Sequence, residues 1–341
     1  MATAPATSYY LPFESDLQKL DEQIAKLEDW SKTNSMDVEK EVVGLRAKRE
    51  AFLRKTYENL TPWDRIQVAR HPQRPQALDY IELLCEDFLE LHGDRGFADD
   101  RAIVTGFATI AGRRLMLVGQ HKGRDLKERQ QCNFGSPQPD GYRKALLKMR
   151  LAEKYRLPVL CLIDTKGAAP DIGAEERGQS QAIAYNLLVM SGLRVPILCI
   201  VIGEGGSGGA LGIGVGDRLL IQEYAYFSVI SPEGCASILW KDANKKADAA
   251  AALKITAPDL KEAGIVDEVL AEPMGGAHRD KKGAATILKG VVDRHLAELQ
   301  AKPLETLLAE RYRKLRSIGR YREDVPAAVV QGNGHDDKAT P

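Results

Sequence analysis

Apolar positions first recur at helical spacing. Phe13, Leu17, Leu20, Ile24 and Leu27 stand four and three residues apart between charged faces, which predicts a helix with a heptad seam. After the polar break at Ser31 to Ser35, the apolar Val38, Val42, Leu45 and Phe52 predict a second helix. The two make a helical hairpin, either packed on its own chain or held out as a partner-binding arm. Thr61-Pro62-Trp63-Asp64 opens another helix, with Thr as N-cap and Pro in the first turn, and His71-Pro72-Gln73-Arg74-Pro75 breaks it. Ala77 to Leu91 predicts one more, with Leu78, Ile81, Leu84, Cys85, Phe88 and Leu91 on one face.

From Ile103 the pattern becomes strand-like. Ile103 to Ile110 and Arg114 to Gly119 predict a hairpin turned at Ala111-Gly112-Arg113. The polar stretch from Gln120 to Gly141, with Lys122, Arg124, Lys127 and Arg129, is too long for a plain connector and is a candidate functional segment. Tyr142 to Tyr155 reads as a helix and Pro158 to Ile163 as a strand. The strand runs into Asp164 to Gly173 and a helix from Ala174 to about Met190, closed by Gly192. Ile197 to Ile202 is a second apolar strand, ending in Gly203-Glu204-Gly205-Gly206-Ser207-Gly208-Gly209-Ala210 and a glycine-rich helix. Strands follow at 218–222, 225–229 and 266–270. Helices follow at 231–240 (opened by Ser231-Pro232-Glu233), 247–253, 257–263, 286–301 and 304–315. The reading is an α/β chain, with a helical region over 1–93, a compact domain over 94–325, and disorder over 1–9 and 326–341.

Composition narrows the function classes. The 341 residues carry 48 basic and 48 acidic side chains, so zero net charge gives no electrostatic case for nucleic acid. No apolar run approaches the roughly 20 residues of a membrane span, and the start of the chain lacks a secretory or transit pattern. The five cysteines, Cys85, Cys132, Cys161, Cys199 and Cys235, form no C-x-x-C pair. No metal site is expected, and a reducing compartment, the cytoplasm, fits best.

The glycine loop admits several readings. Gly203-x-Gly205-x-x-Gly208, followed by Glu223, matches a dinucleotide fingerprint. Gly205-Gly206-Ser207-Gly208-Gly209 matches a nucleophile elbow, with His278 and His295 downstream. The glycines could also serve close packing alone. The last reading pairs this loop with Asp164 to Gly173. Parallel βα units bring both loops to one sheet edge, where unpaired N–H groups stabilise a developing oxyanion.

Several stretches, in order, resemble the α-subunit family of the carboxyltransferase of bacterial multi-subunit acetyl-CoA carboxylase. They are Asn133-Phe134-Gly135, Gly141-Tyr142-Arg143-Lys144-Ala145, Gly173 to Gln179, Gly203 to Ala210, Ser231 to Trp240 and Gly275-Gly276-Ala277-His278-Arg279. The resemblance runs from about Phe13 to about Tyr312. It implies a crotonase-like (ClpP/crotonase) spiral core behind an N-terminal helical region. It implies carboxyl transfer from carboxybiotin, on a biotin carboxyl carrier protein, to acetyl-CoA, giving malonyl-CoA, with no covalently bound cofactor on this chain. The implied partners are a zinc-bearing β subunit in an α2β2 heterotetramer and, in the larger complex, biotin carboxylase. Backbone N–H groups of Gly206, Gly208, Gly209 and Ala210 would be the oxyanion donors. Gly167, Ala168, Glu204 and Gly205 would wall the carboxybiotin site. Arg143 and Lys144 are candidates for the CoA phosphates, or else a solvated helix face. The family loop usually reads D-T-P-G-A-Y-P-G; this chain has Lys166, Ala169 and Asp171 where Pro, Tyr and Gly are usual. A stand-alone crotonase-type acyl-CoA enzyme and a non-catalytic assembly paralogue are the alternatives.

Overall fold

The computed structural model describes residues 9–34 and 38–319. The expectations for the first eight residues and for 326–341 lie outside the described residues. The hairpin forms from α1 (Ser15–Asn34) and α2 (Glu39–Glu58), clasped by Arg46 to Glu28 at 2.7 Å and by Arg49 to Asp21. Its base is packed on its own chain, where Leu11, Leu17, Leu53 and Tyr57 meet Val68 and Tyr224. The Thr61 hydroxyl caps α3 (Pro62–Ala69) as the sequence predicts.

The next helix is shorter than expected. α4 spans Ala77–Leu84, and β1 (Asp87–Glu90) follows as an edge strand antiparallel to β2 (Ile103–Ile110). Phe88 therefore packs from a strand, so the main sheet begins N-terminal to residue 94. Apolar spacing alone could not separate a last helical turn from a short edge strand. β2 turns into β3 (Arg113–Gln120) through Ala111 and Gly112, at φ 51° and 71°, the left-handed pair a two-residue hairpin requires.

The polar stretch that follows holds α5 (Leu126–Gln131), then α6 (Pro139–Tyr155) covers the sheet. β4 (Val159–Thr165) leads to α7 (Ile172–Glu176) and α8 (Gln179–Gly192), where one continuous helix is expected from sequence. Gly178, at φ 76°, breaks it. Gly178→Ala should lower stability by about 1–2 kcal/mol in urea unfolding, the usual cost of a left-handed L-residue. The chain continues through β5 (Ile197–Gly206), α9 (Ser207–Leu211), β6 (Arg218–Gln222), β7 (Tyr226–Ser228), α10 (Pro232–Trp240), α11 (Lys246–Leu253), α12 (Ala257–Glu262), β8 (Glu268–Leu270), α13 (Lys281–Gln300) and α14 (Leu304–Ser317).

The sheet order is β1-β2-β3-β4-β5-β6-β8, and β3 to β8 run parallel. β7 pairs with β5 beyond the end of its β6 register, so the sheet steps sideways at the glycine stretch. One face packs against α6, α8 and α12, the other against α4 and α13. β4 and β5 are buried on both faces, which is why they read as unbroken apolar runs. Arg311, wholly buried on α14, grips both Asp217 oxygens at 2.8 Å and the carbonyls of Met190, Leu193 and Val195. No helix of the described residues is long and apolar enough to cross a membrane.

Candidate active site

The site lies where β4 and β5 end side by side. The glycine stretch is not the loop the sequence suggests. Gly203 to Gly206 are strand, with Glu204, Gly205 and Gly206 opposite Tyr226, Phe227 and Ser228 of β7. The glycines here do not supply positive φ; the turn is made by Ser207, at φ 53°. They are needed for close approach. A Cβ on Gly206 would lie 2.3 Å from the Lys166 carbonyl, and one on Gly209 would lie 2.4 Å from Ala168 N. The two βα loops therefore touch backbone to backbone, at the edge to which right-handed parallel crossovers bring them both.

Gln120 ties them together. Its side-chain amide donates to Gly209 O at 2.8 Å, and its carbonyl oxygen accepts from Asp164 N at 3.1 Å. The Tyr142 hydroxyl also donates to Gly209 O, at 3.0 Å. With the Gly209 carbonyl fixed, the first-turn N–H groups of α9 have a set direction, and they have no acceptor within their own helix. The residues unusual for the family loop are anchored too. Ala169 N donates to Pro137 O at 2.9 Å. Asp171 caps α7 by accepting from Ala174 N at 2.9 Å, and it also takes the Gln138 amide.

Beneath the junction lies an ionic floor. Glu204 accepts from Arg70 Nε at 2.7 Å, Lys122 Nζ at 2.7 Å and Tyr226 Oη at 2.7 Å. Lys122 also meets Asp164 at 2.6 Å, whose other contact is Glu204 N at 2.8 Å. Arg70 reaches Glu233 at 2.7 Å. Burial works to raise the Glu204 carboxyl, but Lys122, Arg70 and the Tyr226 hydroxyl outweigh it and hold it down at about 2. Behind this layer Arg74 binds Glu272 with two hydrogen bonds of 2.7 and 2.9 Å and donates to Ile202 O. A cleft of about 200 Å³ opens above, lined by Arg70, Arg74, Lys122, Arg129, Phe134, Asp164 and Glu204 among others.

Of the residues singled out from sequence, Gly167, Ala168, Gly206 and Gly209 meet at the junction, and Glu204 stands at the cleft floor. Arg143 and Lys144 are placed otherwise. Lys144 is buried, its ammonium 2.5 Å from Asp99 and 2.7 Å from Asp100 O. Arg143 is held by Asp94 and by the Arg177 carbonyl. Lys144 is thus a buried ion-pair partner, while Arg143 is tied to Asp94 with 36% of its side chain still exposed. The dinucleotide fingerprint lacks its turn, because Gly203 and Gly205 lie within a strand. The nucleophile-elbow reading gains a strained, exposed Ser207 but, among the described residues, no base bonded to it. His278 stacks on His71 at 3.8 Å, and burial, His71 and two arginines push it down to about 2. His295 is bonded to Glu268 on β8. His121, for which the sequence offers no partner, meets Glu128 at 3.0 Å. Glu233 both opens α10 and pairs with Arg70.

Arg70, Arg74 and Tyr226 surround the candidate site without having been singled out from sequence, and Asp164 is visible there only as the first residue of its loop. Arg74 sits in what reads only as a helix stop, and Arg70 just before it. Lys122 is visible merely as one cation in a basic cluster.

Over residues 10–319 the sequence matches the family described as acetyl co-enzyme A carboxylase carboxyltransferase-like. It is similar to the acetyl-coenzyme A carboxylase carboxyl transferase subunit alpha of Rhodopirellula baltica, at 52% identity over 92% of this chain and 98% of that one. It is 54% identical to the protein of the same name from Xanthomonas oryzae pv. oryzae, again over 92% of this chain and 98% of that one. Among solved structures, a Pseudomonas malonate decarboxylase hetero-tetramer in complex with coenzyme A matches with a TM-score of 0.56. That match is at 15% identity over 69% of this chain and 91% of that chain. The β subunit of Pseudomonas aeruginosa geranyl-CoA carboxylase matches with a TM-score of 0.51, at 19% identity over 68% of this chain and 49% of that chain. At such identities these structures speak for the fold, and the fold is the crotonase-like core expected from the sequence.

Proposed function

The chain belongs to the acetyl-CoA carboxylase carboxyltransferase family as an α subunit, and from that premise we propose how its site works. It moves a carboxyl group from carboxybiotin, presented by a carrier protein, to acetyl-CoA, giving malonyl-CoA for fatty acid synthesis. In the transfer a C–N bond to biotin breaks and a C–C bond to the acetyl methyl carbon forms. The proton lost by the methyl group goes to the biotin nitrogen. Negative charge therefore grows on the ureido oxygen as the carboxyl group leaves. The amides of Gly206, Gly208, Gly209 and Ala210 are the donors that meet it, and Gly167, Ala168, Glu204 and Gly205 form the surrounding wall. No side-chain nucleophile is needed.

The observation that carries this reading is the backbone contact of Gly206 and Gly209 with Lys166 to Ala168. It fixes donors without moving parts, so little reorganisation accompanies the reaction. In this reading acetyl-CoA is held mainly by a zinc-bearing β subunit in an α2β2 assembly, with the biotin carboxyl carrier protein and biotin carboxylase completing the system. The exposed Val229, Ile238 and Leu239 following β7 and on α10 suit a surface that another chain covers. The cytoplasm is the compartment that fits, in keeping with five free thiols.

The test is biotin-dependent decarboxylation of malonyl-CoA by this chain, its β subunit, and both together. Turnover only with both is the expected result. Turnover by this chain alone would favour the stand-alone acyl-CoA enzyme, and tight assembly without turnover the non-catalytic paralogue. Labelling of Ser207 by a fluorophosphonate would revive the hydrolase.

A further inference from the structure

Asn133, Phe134 and Gly135 stand at φ 46°, 52° and 77°, three consecutive residues in the left-handed region. Asparagine tolerates this region, but for Phe134 it is strain, which persists only where the surroundings impose it. Here they do. Asn133 Nδ2 donates to Ser136 O at 3.0 Å, Gly135 N to Cys132 O at 2.8 Å, and Thr165 Oγ1 to Gly135 O at 2.6 Å. A Cβ on Gly135 would lie 2.5 Å from Lys122 Cγ, so the turn is wedged against the ionic floor. Its product is a phenylalanine ring left 48% exposed, lining the cleft beside Lys122, Asp164 and Glu204. A hydrophobe held out of the core by a strained backbone calls for a ligand rather than a packing role.

Beside the ring is a cation. Lys166 Nζ lies 5.7 Å from the Phe134 ring centroid, on an exposed side chain. The Lys166 carbonyl is the group that crowds Gly206, so this side chain leaves the backbone at the oxyanion junction. Lys122 and Arg70 are each neutralised by two carboxylates. Among the described residues, Lys166 makes no ion pair, and neither does Arg129 on the cleft wall. The uncommitted charge around the cleft is therefore positive, and it adjoins an exposed aromatic face. A planar ring carrying an anionic group satisfies both.

We infer that Phe134 and Lys166 form the subsite for the carboxylated ureido ring, the ring lying on Phe134 and the carboxylate meeting Lys166 Nζ. This rests on carboxybiotin being the donor, as proposed above. Both are positioning residues: the N–H donors act on the ureido oxygen, and this pair sets where the ring and its carboxyl group lie.

The test uses the assembled two-subunit enzyme in the reverse direction, transferring carboxyl from malonyl-CoA to biocytin. Biocytin enters without its carboxyl group, so the two side chains separate kinetically. Phe134→Ala should raise the KM for biocytin about tenfold, and Phe134→Tyr should restore most of it. Lys166→Met should lower kcat about tenfold at unchanged biocytin KM, and Lys166→Arg should recover most of the loss. The KM for malonyl-CoA should stay constant in all four. A raised malonyl-CoA KM in Lys166→Met would assign the lysine to CoA phosphates and overturn the inference. So would an unaltered biocytin KM in Phe134→Ala that folds with wild-type thermal stability. If the unsubstituted enzyme carries no carboxyl to biocytin, the proposed function itself falls, and this subsite with it.

Discussion

Gly209→Val is expected to abolish carboxyl transfer while leaving the chain folded and able to assemble. The added Cβ would lie 2.4 Å from Ala168 N and 2.5 Å from Gly167 C. Both are backbone atoms, so no side chain can swing away; the two loops must part. Parting them turns the α9 amides off the ureido oxygen and breaks the Gln120 and Tyr142 bonds that aim the Gly209 carbonyl. Loss of one oxyanion donor, or a shift of about 1 Å in the reacting groups, costs on the order of 10²–10³ in rate. Several donors move here, so a fall of at least about a hundredfold in kcat is expected. Gly208 separates geometry from glycine content. Its Cβ would find only Ile183 side-chain atoms, the nearest at 3.8 Å, so Gly208→Ala should lose far less than Gly209→Val. The check is steady-state turnover of the reconstituted enzyme, with assembly followed by gel filtration. Equal activity in Gly209→Val and the parent would remove the oxyanion role from this junction.

Lys122→Met should destabilise the chain by about 3 kcal/mol, because it strips the shared counter-ion from two buried carboxylates. The low end of the range for a broken buried pair applies, since the Lys122 side chain keeps 19% of its surface in water while Glu204 keeps 9%. The pH dependence gives the loss a signature. In the parent, Glu204 is held at about 2, below its ordinary value of 4.5. A depressed carboxyl adds stability that is fully present above the unfolded value and is lost as pH falls toward the folded one. Without Lys122 the depression shrinks, and so does this gain between about 2 and 4.5. The variant's deficit should therefore be larger at pH 7 than at pH 3.5. Urea unfolding at the two pH values measures it. Adding Glu204→Gln to Lys122→Met removes one of the stranded charges and should return part of the stability. A deficit that grows on acidification would mean the lysine does not stabilise these carboxylates.

Local signals were legible and held. The capped start at Thr61-Pro62, the Ser231-Pro232 start of α10 and the apolar runs of β4 and β5 depend on neighbours within a turn or on burial by any partner. The failures have one kind of cause. Phe88 and its neighbours form β1 because β2 lies alongside, and Gly203 to Gly206 remain strand because β7 returns to pair with them. The partners of Arg143 and Lys144, Asp94 and Asp99, stand over forty residues earlier and meet them only in the fold.

Two strand–loop–helix units in succession, loops emerging at one edge and the family pattern they carry can all be read from the residues alone. Alternation, capping and chain direction suffice for that. What the glycines are for was decided only in three dimensions. They leave room for Lys166 to Ala168 to lie against β5 and α9, and the conformational turn falls to Ser207 instead. The charge state of the cleft was also a tertiary matter. Glu204 finds Arg70 across 134 residues, Lys122 across 82 and Tyr226 across 22. No window of sequence contains such a set, because desolvation and ion pairing act through space and the chain reaches these distances only once it is folded.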